Sequence, residues 1–225
     1  MKEVCYVCGR SATSAEHVPP LCIFPESKDV PSAESYRRNL ITVPSCDEHN
    51  LKKSKDDEYL MMILVAHFTN NEVANQQLRT KVVRAWQRRP HLALAAVKDP
   101  QLVRLNGEDT MAFRVDLPRL TRAMELIARG LIFHEKGIRW AGTFRVWGTN
   151  MLPSNAERAE QILSTSSSIK AAMATIFSNK PFLGANPDVF KYQLHVPEPP
   201  ETLGCARLMF YGGLEIVVFG GPEQA

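Results

Sequence analysis

The chain lacks the long hydrophobic runs that insertion into a membrane requires. Its longest apolar run covers residues 59–66, whereas a membrane-spanning helix needs roughly 20 apolar residues. No apolar segment typical of a secretion signal follows the first lysine. We therefore predict a cytoplasmic protein that does not use a membrane as its partner.

The chain also has few cysteines, and their number is odd. Of the five cysteines, Cys22 and Cys205 stand alone, while each of the others is separated by two intervening residues from a further cysteine or histidine. This pattern argues against a disulfide framework and favours metal binding in a reducing compartment.

A strong charge imbalance is missing as well. The formal net charge is +3, which does not by itself indicate a nucleic-acid partner. The charges are unevenly distributed, however, because residues 1–58 contain 8 Lys/Arg and 10 Asp/Glu, while residues 59–100 contain 6 and 2. The basic excess therefore follows directly after the cysteine-rich segment.

The composition and patterning divide the chain into three parts. Hydrophobic residues make up 44% of it, which is enough for a folded core. Residues 1–58 are rich in Pro, Ser, Cys and charge, which is typical of a small metal-dependent module. Within this module we predict short strands at residues 4–7 and 40–43 and a helix that begins at Asp47.

Residues 59–100 are predicted to form a helical connector. Between Asp57 and Phe68, the run at residues 59–66 is apolar on every face, which is typical of a helix buried between layers. A second helix is predicted over residues 72–89, and Pro90 is expected to end it.

Residues 101–225 are predicted to form an α+β domain with antiparallel strands, which places the whole chain in the α+β class. An amphipathic helix is predicted over residues 117–131, with Gly130 near its C-terminal end. The other predicted elements are strands at 143–147, 189–195 and 207–219, with a Gly212-Gly213 hairpin turn, and a helix at 156–177. This part shows no catalytic constellation, and we predict that it contacts a DNA flank, a protein partner or a small ligand.

Two pairs of metal-type ligands lie in residues 1–58. Two residues separate Cys5 from Cys8, and two residues separate Cys46 from His49. Paired spacings of this kind are typical of tetrahedral zinc sites that stabilise small modules. Four protein ligands leave no coordination position for water, so the sequence predicts a structural Zn²⁺.

A second set of motifs lies between and after these ligand pairs. The motifs are Glu16-His17-Val-Pro-Pro, Asn39-Leu40 and Asn50-x2-Lys53. Together with the ligand pairs, over residues 5–57, they resemble the HNH endonucleases, whose ββα-metal motif is often stabilised by a structural zinc. The resemblance covers about a quarter of the chain.

The resemblance implies a metal-dependent endonuclease that hydrolyses DNA phosphodiester bonds. His17 would act as the general base on the attacking water, a role that suits imidazole because its ordinary pKa is about 6.5. Glu16 and Asn50 would hold one divalent ion, Mg²⁺ or Mn²⁺, through oxygen atoms. Asn39 would orient the imidazole.

Alternatives remain open at this point. His49 could belong to the active site, and Cys22 could then replace it as a zinc ligand. Glu16-His17 could lie in an ordinary loop, and Asn50 could cap a helix or face solvent. The chain would then be a non-catalytic zinc-binding module for nucleic acid or protein, or the C-terminal part would perform the main function.

Basic residues near the predicted site could contact phosphates. One group is close to the site in sequence and consists of Arg37, Arg38, Lys52, Lys53 and Lys55. A second group lies on the helix predicted over residues 72–89, with Arg84 and Arg88 as the main candidates beside Arg79, Lys81 and Arg89. The alternative for this second group is a solvated helix face without a ligand.

Overall fold

A computed structural model describes residues 3–30, 35–50, 54–90, 96–105, 107–153, 156–197 and 203–222. Within these ranges the chain forms helices and antiparallel sheets, so the predicted α+β class is confirmed. A two-stranded sheet lies in the cysteine-rich part, a second hairpin follows the connector, and a five-stranded sheet dominates the C-terminal part.

The elements are numbered in chain order. The first part contains the strands β1 (Ser14–His17) and β2 (Thr42–Ser45), the helix α1 (Asp47–Asn50) and the helix α2 (Ser54–Val65). A helical segment then comprises α3 (Glu72–Gln77), a π-helical turn (Leu78–Val82) and α4 (Val83–Arg88). The remaining strands are β3 (Lys98–Leu105), β4 (Glu108–Arg114), β5 (Phe144–Gly148), β6 (Leu183–Asn186), β7 (Phe190–His195), β8 (Gly204–Phe210) and β9 (Leu214–Gly220), and the remaining helices are α5 (Leu117–Lys136) and α6 (Ala159–Ile176).

The strand predicted at residues 4–7 is instead a tight turn. Cys5 N–H donates to the Arg10 carbonyl at 2.7 Å, and Gly9 N–H donates to the Cys5 carbonyl at 3.0 Å. Gly9 has a φ of +72°, a conformation that glycine adopts without steric cost. The turn folds the two cysteines back towards each other, and Tyr6 N–H attaches it to β2 through the Pro44 carbonyl.

Strands β1 and β2 form an antiparallel pair that leads directly into α1. His17 lies opposite Thr42, and Ser14 lies opposite Ser45. The Glu16-His17 pair is therefore on a strand, and the second strand begins at Thr42, two residues later than predicted. This order of strand, strand and helix brings the start of β1 next to α1.

Helix α2 runs through the core of the molecule, as its uniform apolarity predicts. All residues from Tyr59 to Val65 are exposed by 5% or less. One cluster of buried side chains contains Tyr6 from the cysteine-rich part, Leu64 from α2, Leu131 from α5 and Val218 from β9. The three parts predicted from the sequence therefore share a continuous hydrophobic core.

The helix predicted over residues 72–89 is confirmed, but it contains an irregular turn. The Asn71 side chain caps its beginning by accepting from Ala74 N–H, and the last helical residue is Arg88. At the π-helical turn, Val83 N–H donates to the Leu78 carbonyl, five residues earlier. One extra residue is thereby included in the turn.

Helix α5 is longer than its sequence predicts, because Gly130 does not end it. The helix continues to Lys136 and ends at Gly137, which has a φ of +67°. A Cβ atom at Gly130 would lie 2.6 Å from Val18 Cγ2. Glycine is therefore needed there for packing, since it lets the residue after His17 approach the helix axis.

The C-terminal sheet has the strand order β5-β9-β8-β7-β6, and all neighbours are antiparallel. The predicted hairpin is confirmed, with Phe210 opposite Leu214 and Gly212 at a φ of +68°. The β3–β4 hairpin was not predicted, because its residues are largely exposed and show no apolar alternation. Helix α6 packs on the sheet through Met173 and Phe177.

Candidate functional site

Four metal-type side chains meet between the tight turn and α1. Cys5 and Cys8 come from the turn, Cys46 follows β2, and His49 lies on α1. Their ligand atoms all lie within 4.8 Å of one another, and Cys5 and Cys46 are buried. The sequence spacing correctly predicted this group.

The distances within the group fit a tetrahedral zinc ion. Cys8 Sγ lies 3.8 Å from Cys46 Sγ, and His49 Nδ1 lies 3.2 Å from Cys46 Sγ and 3.6 Å from Cys5 Sγ. Bond lengths of about 2.3 Å for Zn–S and 2.1 Å for Zn–N would space two sulfurs by about 3.8 Å and sulfur and nitrogen by about 3.6 Å. The four residues could therefore hold a metal such as zinc.

An arginine supports the ligand group from outside. Arg10 Nε donates to Cys8 Sγ at 3.3 Å, and the same side chain forms an ion pair with Glu48 on α1. The hydrogen bond from Arg10 is the main cause that lowers the pKa of the Cys8 thiol to about 6. A thiolate is the form that binds metal, so this environment favours coordination.

A cavity of about 580 Å³ reaches α1 at Asn50, the residue after His49 of the metal-type group. His17 from the end of β1 and Asn50 from the end of α1 both line it. Burial lowers the pKa of His17, and the positive charge of Arg37 lowers it further. The imidazole is therefore neutral and able to accept a proton near pH 7.

Asn50 is fixed against β1 by its amide nitrogen. Asn50 Nδ2 donates to Ser14 Oγ at 2.8 Å and to the Ala15 carbonyl at 3.3 Å. Glu16 lines the same cavity and is 4% exposed. The amide oxygen of Asn50 and the carboxylate of Glu16 are the ligand types that Mg²⁺ or Mn²⁺ prefers, and such ions often use one or two protein ligands together with substrate phosphates.

The adjacent residues His49 and Asn50 thus face different sites. His49 belongs to the cysteine group, whereas Asn50 belongs to the cavity. Cys22 is not a substitute ligand for the metal, because its thiol donates to the Asp57 carbonyl at 3.3 Å and lines the cavity.

The structure does not bring Asn39 to His17. Asn39 is exposed, has a φ of +52° and lies in the turn before β2. No hydrogen bond joins its side chain to His17, although both residues are among those described, and it does not line the cavity. The role of orienting the imidazole therefore has no structural support at this position.

The predicted phosphate contacts have different surroundings. Arg37 donates to the Phe24 carbonyl at 3.1 Å and to Glu26 at 3.4 Å, and Arg84 pairs at 2.5 Å with the buried Asp29. Arg38 and Arg88 are exposed. Lys52, Lys53 and the side chain of Lys55 lie outside the described residues.

Four further charged residues line the cavity, and the two acidic ones were not selected from the sequence. Asp57 and Glu58 of α2 line it, and so do Lys81 of the π-helical turn and Arg89 after α4. Burial lowers the pKa of Lys81, which donates to the Cys22 carbonyl at 2.8 Å. Helical spacing was the only signal for the two basic residues, and it does not show which side of the helix faces His17.

A larger cavity of about 650 Å³ lies away from these residues, between the β3–β4 hairpin and the start of α5. Its walls are mainly apolar and include Phe113, Leu120 and Met151. Across the part of the chain that the structure describes, the cysteine group is the only cluster of three or more His, Cys, Asp or Glu side chains that could hold a metal.

None of the helices formed by the described residues has the length and apolarity needed to cross a membrane. Comparisons of the chain with protein-family models, with curated proteins and with solved structures found no significant match.

Proposed function

We propose that the chain is a metal-dependent endonuclease of the HNH type that hydrolyses DNA phosphodiester bonds. One observation supports this proposal above all others: a single cavity is lined by His17 and Asn50, and it adjoins a closed group of three cysteines and one histidine. The two sites meet at α1, which carries His49 and Asn50. Glu16, His17 and Asn50, three residues of the motifs that resemble the HNH family, thus line one cavity, whereas Asn39 does not.

His17 would take a proton from the water that attacks phosphorus. Its lowered pKa keeps the imidazole neutral near pH 7, and its place on the cavity wall gives it access to a substrate. A positioned general base accelerates hydrolysis by typically 10²–10⁴-fold. This step requires the imidazole to be deprotonated.

Glu16 and Asn50 would hold a divalent ion at the same cavity. Such an ion acts as a Lewis acid towards phosphate oxygens and stabilises the charge of the transition state. The two hydrogen bonds from Asn50 to β1 keep the amide in a fixed direction. The Asn50 amide would thereby be oriented before substrate binds.

The cysteine group would serve the cavity indirectly. It joins the turn at residues 5–8 to α1 through His49, and α1 ends with Asn50. A zinc ion bound there would fix α1 against β1 and keep Asn50 close to His17. Its four protein ligands leave no position for a reacting water.

The test is cleavage of supercoiled plasmid with Mg²⁺ or Mn²⁺. We expect nicking by the wild type and a loss of about 100-fold or more in His17→Ala. His134→Ala is a matched control, since His134 is exposed on α5 and does not line the cavity.

Two outcomes contradict the proposal. One is equal nicking by the wild type and His17→Ala, and the other is no nicking by the wild type with any divalent metal on DNA or RNA. The second outcome favours a non-catalytic zinc-binding module, which would use the closed cysteine group without His17.

A further inference from the structure

The cavity that contains His17 has a wall formed by the helical segment that follows α2. This segment presents Lys81 from the π-helical turn and Arg89 from the residue after α4. Both residues belong to the predicted connector and not to the motif that resembles the HNH family. The cavity is therefore built jointly by two parts of the chain.

Lys81 is held in place by hydrogen bonds around a short 3₁₀ helix, Leu21–Ile23. Lys81 Nζ donates to the Cys22 carbonyl at 2.8 Å. The fully buried Gln77, one turn earlier, donates to the carbonyls of Cys22 and Ile23 at 3.3 and 3.2 Å. The Tyr211 hydroxyl also donates to the Ile23 carbonyl, at 2.5 Å. These contacts fix the helix against the residues that follow His17.

Arg89 lies at the more open side of the same wall. Its side chain is 53% exposed and pairs with Glu58 Oε1 at 2.6 Å. Arg84, by contrast, is occupied by the buried Asp29. The only Lys or Arg residues among the described residues that line this cavity are Lys81 and Arg89.

The remaining charge on the cavity is acidic. Glu16, Asp57 and Glu58 all line it, and this arrangement by itself would repel a phosphodiester. A nucleic-acid backbone carries one negative charge per phosphate, so binding requires cations that face it. The connector helix supplies two such cations, Lys81 and Arg89, and Arg89 also neutralises Glu58 through its ion pair.

We propose that Lys81 and Arg89 form a phosphate-binding wall that holds the nucleic-acid backbone against His17. The inference rests on the proposed function in that the ligand is a nucleic acid. Cys22 and Glu58 are then the resting partners of the two cations, and a bound phosphate replaces or shares these contacts.

The test measures binding rather than cleavage, with His17→Ala as the background. The dissociation constant of a fluorescent DNA duplex is measured by anisotropy from 50 to 200 mM salt. For duplex DNA the slope of log affinity against log salt is about −0.9 per phosphate contact. We expect Lys81→Gln and Arg89→Gln each to make the slope shallower by about 0.9, and the double variant by about twice that.

Arg79→Gln is the matched control, because Arg79 lies on the same helix, is 75% exposed and does not line this cavity. Arg79→Gln should leave the salt slope unchanged. Lys81→Arg, which keeps the positive charge, should also keep the parent slope. If Lys81→Gln fails to fold, as shown by circular dichroism, Arg89→Gln decides the question because its position is exposed.

The proposal is overturned if both glutamine variants keep the parent slope, or if Arg79→Gln changes it as much as they do. Binding without cleavage by the wild type would overturn the nuclease proposal alone. Cleavage by the wild type, together with a salt slope that is unchanged in Lys81→Gln and Arg89→Gln, would overturn the phosphate-binding wall alone. Absence of any DNA or RNA binding would overturn both.

Discussion

At the scale of single residues, the division between His49 and Asn50 is central. His49 Nδ1 lies 3.2 Å from Cys46 Sγ, while Asn50 Nδ2 donates a hydrogen bond to Ser14 Oγ at 2.8 Å. Successive residues of a helix point about 100° apart, so one turn can supply both a sulfur-rich group and a cavity. Loss of the metal would therefore change the position of Asn50 without altering its chemistry.

We predict that Cys46→Ser abolishes zinc binding, whereas Cys22→Ser retains it. Cys46 belongs to the four-residue ligand group, and Cys22 donates instead to the Asp57 carbonyl. Metal content by mass spectrometry should be about one zinc per chain for the wild type and Cys22→Ser, and close to none for Cys46→Ser. Zinc retained after Cys46→Ser would show that the ligands are assigned incorrectly.

At the scale of elements, the segment that follows β1 packs on α5 at a position that has no side chain. Val18 follows the last residue of β1 and fits against Gly130. Glycine in the middle of a helix ordinarily costs about 1 kcal/mol relative to alanine. The close approach of Val18 offsets this cost by allowing the segment around His17 to pack on the helix.

We predict that Gly130→Ala destabilises the protein, although alanine favours helices. The added Cβ would lie 2.6 Å from Val18 Cγ2, and overpacking of this kind costs about 1–3 kcal/mol. The free energy of unfolding should fall by this amount in urea denaturation. In the double variant Val18→Ala, Gly130→Ala, the added methyl group should be tolerated better; a gain in stability from Gly130→Ala alone would refute the packing argument.

At the scale of the whole molecule, one hydrophobic cluster joins the cysteine-rich part to the C-terminal sheet. Tyr6 and Val218 belong to the same cluster, together with the buried face of α2. The Tyr211 hydroxyl also donates to the Ile23 carbonyl across 188 residues of sequence. The cavity that contains His17 is thus supported by the entire fold.

We predict a single cooperative unfolding transition that depends on zinc. All three tryptophans lie outside residues 1–58, so their fluorescence reports only on the other parts of the chain. Far-ultraviolet circular dichroism and tryptophan fluorescence should give the same midpoint, and a zinc chelator should lower both. Separate midpoints, with only the first affected by the chelator, would indicate an independent module.

Local sequence patterns predicted those parts of the fold and site that depend on residues close to one another in the sequence. The cysteine group followed from two short spacings, and α2 followed from its uniform apolarity. Gly130 was misinterpreted as a helix end, because the requirement for glycine at this position comes from its contact with Val18, which is distant in sequence. Lys81 and Arg89 were candidates, but the sequence could not distinguish them from the other basic residues of their helix, since only tertiary packing places this helix beside His17.

The π-helical turn determines which of two neighbouring arginines reaches the cavity. Relative to an uninterrupted α-helix, the extra residue moves every later side chain back by about 100° around the axis. Arg89, which directly follows the last helical residue, lines the cavity, and Arg88 does not. A chain that lacked one residue between Leu78 and Val82 could form a regular α-helix here, and we expect the same arginine, then at position 88, to face the cavity.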